Sequence, residues 1–408
     1  MGKIKAMTPI AVLVILFQYP ATAQVFTSLV NFAGSNGATP MYMTLIEAND
    51  GNLYGTTIAG GASSEGVLFQ MTLNGQLKLV YSFCNRAHCS DGEQPYGGVI
   101  QGTDGNLYGT TAYGGFRFHP FGTVFKTTLS GHLTVLHMFC AGGPVRGHCT
   151  DGSLPLAAPV EGRNGQFYLT TNGSLPMDSG SDSTAVRISS SGSLTVLCAD
   201  REGCQAAGDL RETVSSLIQA KDGSFYGTAG YGYQGNGTIF KIKSGKVSVF
   251  HNFCSKKNCA DGQQPLGSLV IGKDGNFYGT TFGIVSDPWA TKHGTVFSIT
   301  PSGKLTTLYR FCKQTNCADG AAPTAGLVQG TDGNFYGTTT MGGANDDGTI
   351  FKITPQGVLT VLHSFSGSDG SNPVGGLIQA SNHVFYGSTS TGGSGNQGTI
   401  FSLDMGFR

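Results

Sequence analysis

The side chains of this sequence that can do chemistry are spread along 408 residues instead of being gathered into a motif. Glu65, Asp178, Asp182, Asp287, Asp346 and Asp347 fall between apolar segments. Two such carboxylates about 5–10 Å apart would give a glycoside hydrolase its acid and its base or nucleophile. His119 and His293 are candidates for proton transfer in a polysaccharide hydrolase or lyase. Aromatic side chains interrupt otherwise bland glycine-rich loops in three places: Phe116, Arg117, Phe118 and His119; Tyr231 and Tyr233; and Asp287, Trp289 and His293. Trp289 is the one tryptophan in the chain. Aromatic faces beside polar groups offer stacking surfaces to sugars or anchors to a protein partner, whereas folded inward they would plug a channel mouth. No nucleophile elbow, H-E-x-x-H helix, Walker loop or dinucleotide fingerprint occurs in a suitable context, so no catalytic residue is assigned and no cofactor is expected.

Ten cysteines could suggest metal, but their spacing argues otherwise. They fall in five near pairs: Cys84 and Cys89, Cys140 and Cys149, Cys198 and Cys204, Cys254 and Cys259, Cys312 and Cys317. None has the C-x-x-C spacing of a zinc site, and the expectation is five short disulfide clips with no metal. The amino terminus agrees. Lys3 and Lys5 precede an apolar stretch from Ile10 to Phe17, then Pro20 and Ala21-Thr22-Ala23, which reads as a signal peptide over 1–23 cleaved after Ala23. Residues 24–408 are then expected to form a single extracytoplasmic domain with no transmembrane segment, secreted or periplasmic and monomeric.

Composition narrows the partners. Lysine and arginine total 24 against 24 acidic residues, and only 12 % of the chain is charged, which excludes the basic footprint of a nucleic-acid binder. Sixty-four glycines without a Gly-x-y period exclude collagen and demand many tight turns.

What must position these residues is a repeat. The hexad Asn52-Leu53-Tyr54-Gly55-Thr56-Thr57 recurs with its tyrosine at Tyr108, Tyr168, Tyr226, Tyr278, Tyr336 and Tyr386, at intervals of 50 to 60 residues. Each unit holds four β-prone runs, here called a to d. In the sixth unit they are Ala325 to Gly330, Asn334 to Thr339, Gly348 to Thr354 and Val358 to Phe365. Asp332-Gly333 and Pro355-Gln356-Gly357 make the a-b and c-d turns tight, so the long b-c and d-a loops share one rim. The last unit lacks run d, and Val25 to Phe32 matches that run, so the expectation is an all-β, seven-bladed β-propeller of four-stranded blades whose last blade is closed by the N-terminal strand.

Recurrent polar residues read first as architecture. Asp50, Asp104, Asp222, Asp274 and Asp332 precede glycine at the a-b turn, and lone carboxylates do not build a calcium cage. Asp91, Asp151, Asp261, Asp319 and Asp369 recur in D-G-x-x-P and also read as turn formers. His137, His251 and His363 share one position on run d with Tyr81 and Tyr309, where blade packing with one hydrogen-bonded ring nitrogen is expected.

The G-N-L/F-Y-G-T-T segments, the G-T-V/I-F-K-x-T segments (Gly122 to Thr128, Gly348 to Thr354) and L-T-V-L-H-x-F (Leu133 to Phe139) together resemble the choice-of-anchor tandem repeat GloVer proteins of bacteria. The resemblance covers essentially the whole chain after residue 23 and implies an exported, surface-type repeat protein. Three functions remain open: a non-catalytic module binding a carbohydrate or cell-surface protein on the long-loop rim, a polysaccharide-active hydrolase or lyase, and a purely structural envelope protein.

Overall fold

The computed structural model describes residues 24–115, 121–143, 149–173, 183–199, 210, 213–232, 235–283 and 293–407. Strands form where the sequence alternates β-branched and aromatic residues between glycine turns. They assemble into seven four-stranded antiparallel sheets arranged as a seven-bladed β-propeller. Blade one runs Ile46–Glu47, Leu53–Thr57, Val67–Met71 and Leu77–Ser82; blade two runs Val99–Gln101, Leu107–Thr111, Thr123–Thr127 and Leu133–Met138. All five residues of every b strand are buried, because each sheet has a neighbour on both faces.

Strand a is shorter than the sequence implies. In blade six it is Val328–Gln329 instead of Ala325 to Gly330. The preceding residues press against the adjoining blade: a Cβ on Gly326 would lie 2.5 Å from the Ser268 carbonyl oxygen. Glycine permits this close backbone approach.

The a-b turn aspartates act as local organisers. In blade six the Asn334 backbone N–H donates to Asp332 Oδ1 at 3.1 Å, while Asn334 Nδ2 and the Tyr336 hydroxyl donate to Oδ2 at 2.7 and 2.9 Å. The same trio holds Asp50, Asp104 and Asp274. Burial opposes ionisation of Asp50, but hydrogen bonds from Asn52, Tyr54 and Gln70 outweigh it and hold the carboxyl below its ordinary value.

Neighbouring blades meet through side chains of strands b and a. The Tyr108, Tyr168 and Tyr278 rings stack on Phe167, Phe225 and Phe335 of the following blade, each at 4.0 Å. Such pairs contribute about 0.5–1.5 kcal/mol beyond the area they bury. At the tight-turn rim, a side chain of strand a accepts from the previous blade's backbone: Asn49 N–H to Gln101 Oε1 at 2.8 Å, Thr103 N–H to Glu161 Oε2 at 2.8 Å, Thr331 N–H to Gln379 Oε1 at 2.9 Å. Ser381 N–H donates to Glu47 Oε2 at 2.7 Å and joins blade seven to blade one.

Blade seven closes as the sequence predicts. Val25–Asn31 pairs antiparallel with Thr399–Asp404, from Val25 opposite Asp404 to Asn31 opposite Thr399, with a register shift between Ser28 and Val30. The same shift marks the c-d pairs of the other blades, for example between Leu68 and Phe69 and between Ile350 and Phe351. The N-terminal strand is therefore a true d strand, bulge included.

Candidate binding rim

The long-loop rim is held by a latch between strand d and the D-G-x-x-P segment. Asp91 is fully buried, and its carboxylate accepts from the Tyr81 hydroxyl at 2.7 Å and from the Asn85 and Arg86 backbone N–H groups at 2.9 and 3.2 Å. Asp319 repeats this with Tyr309, Lys313 and Gln314. Where strand d carries histidine, the ring takes the tyrosine's place: His137 Nε2 lies 2.9 Å from Asp151 and His363 Nε2 lies 2.9 Å from Asp369. His251 stands 3.6 Å from Asp261, beyond a hydrogen bond. These aspartates form turns and also tether the loop to its blade. Burial holds the His363 imidazole below its ordinary value against the opposing pull of Asp369. Burial pushes the Tyr81 hydroxyl up, reinforced by the Asp91 carboxylate.

Disulfides join Cys84 to Cys89, Cys140 to Cys149, Cys254 to Cys259 and Cys312 to Cys317, and Cys198 is disulfide-bonded as well. His293 lies beside the Cys312–Cys317 clip and Glu93 beside the Cys84–Cys89 clip, the atoms of each group within 4.8 Å of one another. Metal ligation by cysteine needs a thiolate, and these sulfurs are bonded to each other.

Between blades one and two the rim departs from its own pattern. Glu93 follows Asp91-Gly92, and its backbone pairs with Tyr113 in an antiparallel bridge, N–H to oxygen 2.9 and 3.2 Å. Directly opposed residues in such a bridge share a face. The equivalent bridges elsewhere are Ala38 with Ala59, Ala321 with Met341 and Ser371 with Thr391. The last residue of the b-c loop departs too. At that position Asn236 Oδ1 accepts from Gln263 at 2.7 Å and Asp347 Oδ1 from the Ser371 hydroxyl at 2.6 Å, but blade one has Glu65, whose carbonyl accepts from the N–H of Gln94, the residue after Glu93, at 2.9 Å. Burial pushes the Glu93 carboxyl up, and the neighbouring Glu65 and Asp91 add to the rise. Tyr96, three residues beyond Glu93, is half-buried, its ring stacked with Tyr42 at 6.4 Å and 21°. Burial raises the Tyr96 hydroxyl, with contributions from Tyr113 and Tyr42. Tyr42, Tyr96, Tyr113, Glu65 and Glu93 thus form one partly exposed patch in which aromatic rings stand beside two acids.

The model of the Gloeobacter/Verrucomicrobia repeat matches residues 14–181 and 212–406. The chain belongs to this family. No curated protein matches it. Among solved structures, this Gloeobacter/Verrucomicrobia repeat protein is similar to virginiamycin B lyase from Staphylococcus aureus, at 14 % identity and a TM-score of 0.56, covering 93 % of this chain and 98 % of that one. It is also similar to the extracellular domain of a one-component system from B. thetaiotaomicron, at 12 % identity and a TM-score of 0.53, covering 92 % of this chain but only 39 % of that one. At such identities these likenesses establish the propeller fold alone.

Of the residues singled out in the sequence of this Gloeobacter/Verrucomicrobia repeat protein, Phe116, Arg117, Phe118, His119, Tyr233, Asp287 and Trp289 lie outside the described residues, as do Asp178, Asp182, Cys204 and the segment 1–23. Tyr231 is 43 % exposed on the b-c loop of blade four. His293 is half-buried at the blade-five position equivalent to Glu65, with no hydrogen-bond partner for its Nδ1. Asp346 caps the Gly342 N–H at 2.8 Å, and Asp347 serves Ser371, so both are structural. Among the described rim carboxylates, Glu65 is the one within electrostatic reach of a second rim acid. Sequence reasoning missed that partner, Glu93, and the tyrosines around it. Among the described residues no helix is long and apolar enough to cross a membrane, and the disulfides fit an extracytoplasmic location.

Proposed function

We propose that this protein is a non-catalytic, exported carbohydrate-binding module that takes its ligand on the long-loop rim between blades one and two. The observation that carries the reading is the Tyr42–Tyr96 stack with Tyr113 beside it, at the rim and partly open to solvent. Tyrosine rings offer a sugar its flat apolar face while their hydroxyls remain available for hydrogen bonds, at little conformational cost. The latch from Tyr81 to Asp91 and the Cys84–Cys89 clip hold the loop, so the rings are pre-organised before a ligand arrives. In this reading residues 1–23 are the export signal, cleaved after Ala23, and residues 24–408 work as one monomeric domain. A glycan array probed with the mature protein tests it: specific binding that Tyr96→Ala weakens by ~10-fold or more, with unchanged thermal melting, is expected. An array without signal refutes it.

One observation favours a second reading, a polysaccharide hydrolase. Burial pushes the Glu93 carboxyl up, with Glu65 adding to the rise, and two neighbouring carboxyl groups in unlike environments are the pairing hydrolysis needs. Release of reducing ends from any array-positive glycan, abolished by Glu93→Gln, would replace the binding reading with this one.

A further inference from the structure

We propose that the patch of Tyr42, Tyr96, Tyr113, Glu65 and Glu93 selects glycans bearing a free, protonated amine, the ammonium lying between the two carboxylates and against the tyrosine rings. This inference rests on the carbohydrate-binding reading and assigns it a ligand class.

The argument comes from what the repeat places here and nowhere else among the described blades. Blade four fills the equivalent pair of positions with two amides, Asn236 and Gln263, joined at 2.7 Å. Blade six fills it with a carboxylate and a hydroxyl, Asp347 and Ser371, joined at 2.6 Å. Both arrangements are complete in themselves: each acceptor has its donor. Between blades one and two the positions hold two acids, and an acid cannot donate to an acid once both are ionised. The donor that reaches Glu65 is Gln94 Nε2, at 3.4 Å, a long contact. Among the described residues neither Glu65 nor Glu93 forms an ion pair. Like charges brought together inside a folded loop cost stability unless a cation offsets them, and none of the described side chains supplies one.

The aromatic part of the patch points to the same ligand charge. The negative face of a tyrosine ring attracts an ammonium within roughly 6 Å of its centroid, the more so when the cation is partly desolvated. Tyr113 shares a face with Glu93 across their bridge, and Tyr96, three residues beyond Glu93 and within electrostatic reach of Tyr113, stacks on Tyr42. An amine seated at the acids would thus have ring faces beside it, and the sugar ring that carries the amine would extend over them. An N-acetylated sugar presents a neutral amide to two carboxylates and gains nothing from the charge.

The test compares two oligosaccharides of equal length and linkage, a β-1,4-linked glucosamine hexamer and its fully N-acetylated counterpart, by titration calorimetry at a pH where the amine is protonated and with a chelator present. The expected result is that the free-amine hexamer binds at least ~10-fold more tightly, that its affinity falls as salt rises, and that Glu65→Gln and Glu93→Gln each remove the preference. Tyr96→Ala should weaken both oligomers. Equal affinity for the two hexamers, unaltered by the glutamine variants, overturns the inference while the carbohydrate-binding reading stands. Absence of binding by either hexamer overturns the inference, and the array then decides the broader reading by itself. Tetramethylammonium is the control without a sugar ring: affinity matching the free-amine hexamer would show that the site reads the cation alone, which overturns the glycan assignment.

Discussion

Removing one hydroxyl, by Tyr81→Phe, tests whether the latch beneath the candidate site is a charge-assisted tether or only a packed turn. Asp91 is fully buried, and its carboxylate accepts three hydrogen bonds, of which the one from Tyr81 is the shortest at 2.7 Å. A hydrogen bond to a buried charge contributes about 1.5–3 kcal/mol, and phenylalanine keeps the ring that packs edge-on against Phe83 at 5.4 Å. The variant should therefore lose about that amount and little else. Asp91→Asn should cost more, because an amide placed there faces three donors with one acceptor oxygen. Denaturant unfolding of the two single variants and the double variant gives the coupling, which should exceed ~1 kcal/mol. Hydrogen exchange adds a local reading: the Asn85 and Arg86 amides, which donate to the same carboxylate, should exchange faster in Tyr81→Phe while strand b of blade two is unaffected. Additive losses with unchanged exchange at those two amides would refute the tether.

Two further outcomes are expected. His363 stacks on Phe26 at 3.7 Å and is held below its ordinary value of 6.5, so the folded state binds its proton less readily than the unfolded state does. Its contribution is complete above about pH 6.5 and is lost as pH falls through the lower folded value, so melting temperature should drop across that window in the wild type and drop less in His363→Gln. Deleting Val25–Asn31 exposes the Thr399–Asp404 edge and uncovers Ile400 and Phe401, so the shortened protein should aggregate or melt without cooperativity, and an unchanged melt would show that the seventh blade does not need its fourth strand.

The architecture was legible because it is repeated. Seven tyrosines at near-constant intervals, tight-turn residues between strands and an unmatched d-like segment at the start were enough to predict blade number and closure, since each signal is local and occurs several times. Strand a was overestimated because glycine-rich sequence reads as β-prone when its real task is close approach, as at Gly326. The candidate site was hidden for a different reason. Departures from the repeat stand out in the b-c loops, whereas the informative departure is a single glutamate, Glu93, in a d-a loop whose other copies carry serine, glutamine, alanine or arginine. Its meaning depends on facing Glu65 and Tyr113, residues 28 and 20 positions away that only the folded bridge brings to it. The strand-d tyrosines and histidines and the D-G-x-x-P aspartates were both present in the sequence, as two series that recur together at separations of 6 to 14 residues. Nothing in either series alone says that one binds the other.

Blade seven also dictates an order of events. Six blades are each built from one continuous stretch of chain, so their strands can find one another while the rest is still being made. The seventh joins Val25 to Asp404, the most distant pairing among the described residues, and Ser381 to Glu47 beside it. Until the final c strand exists, the first strand has no partner, and an apolar, strand-competent segment must be carried unpaired through the formation of everything between. Loop-closure entropy makes that pairing the slow step, and the waiting strand is the species at risk of joining another molecule's open blade. Misassembly of this protein should therefore take the form of exchanged first strands, giving linked propellers that are each complete but share their closures.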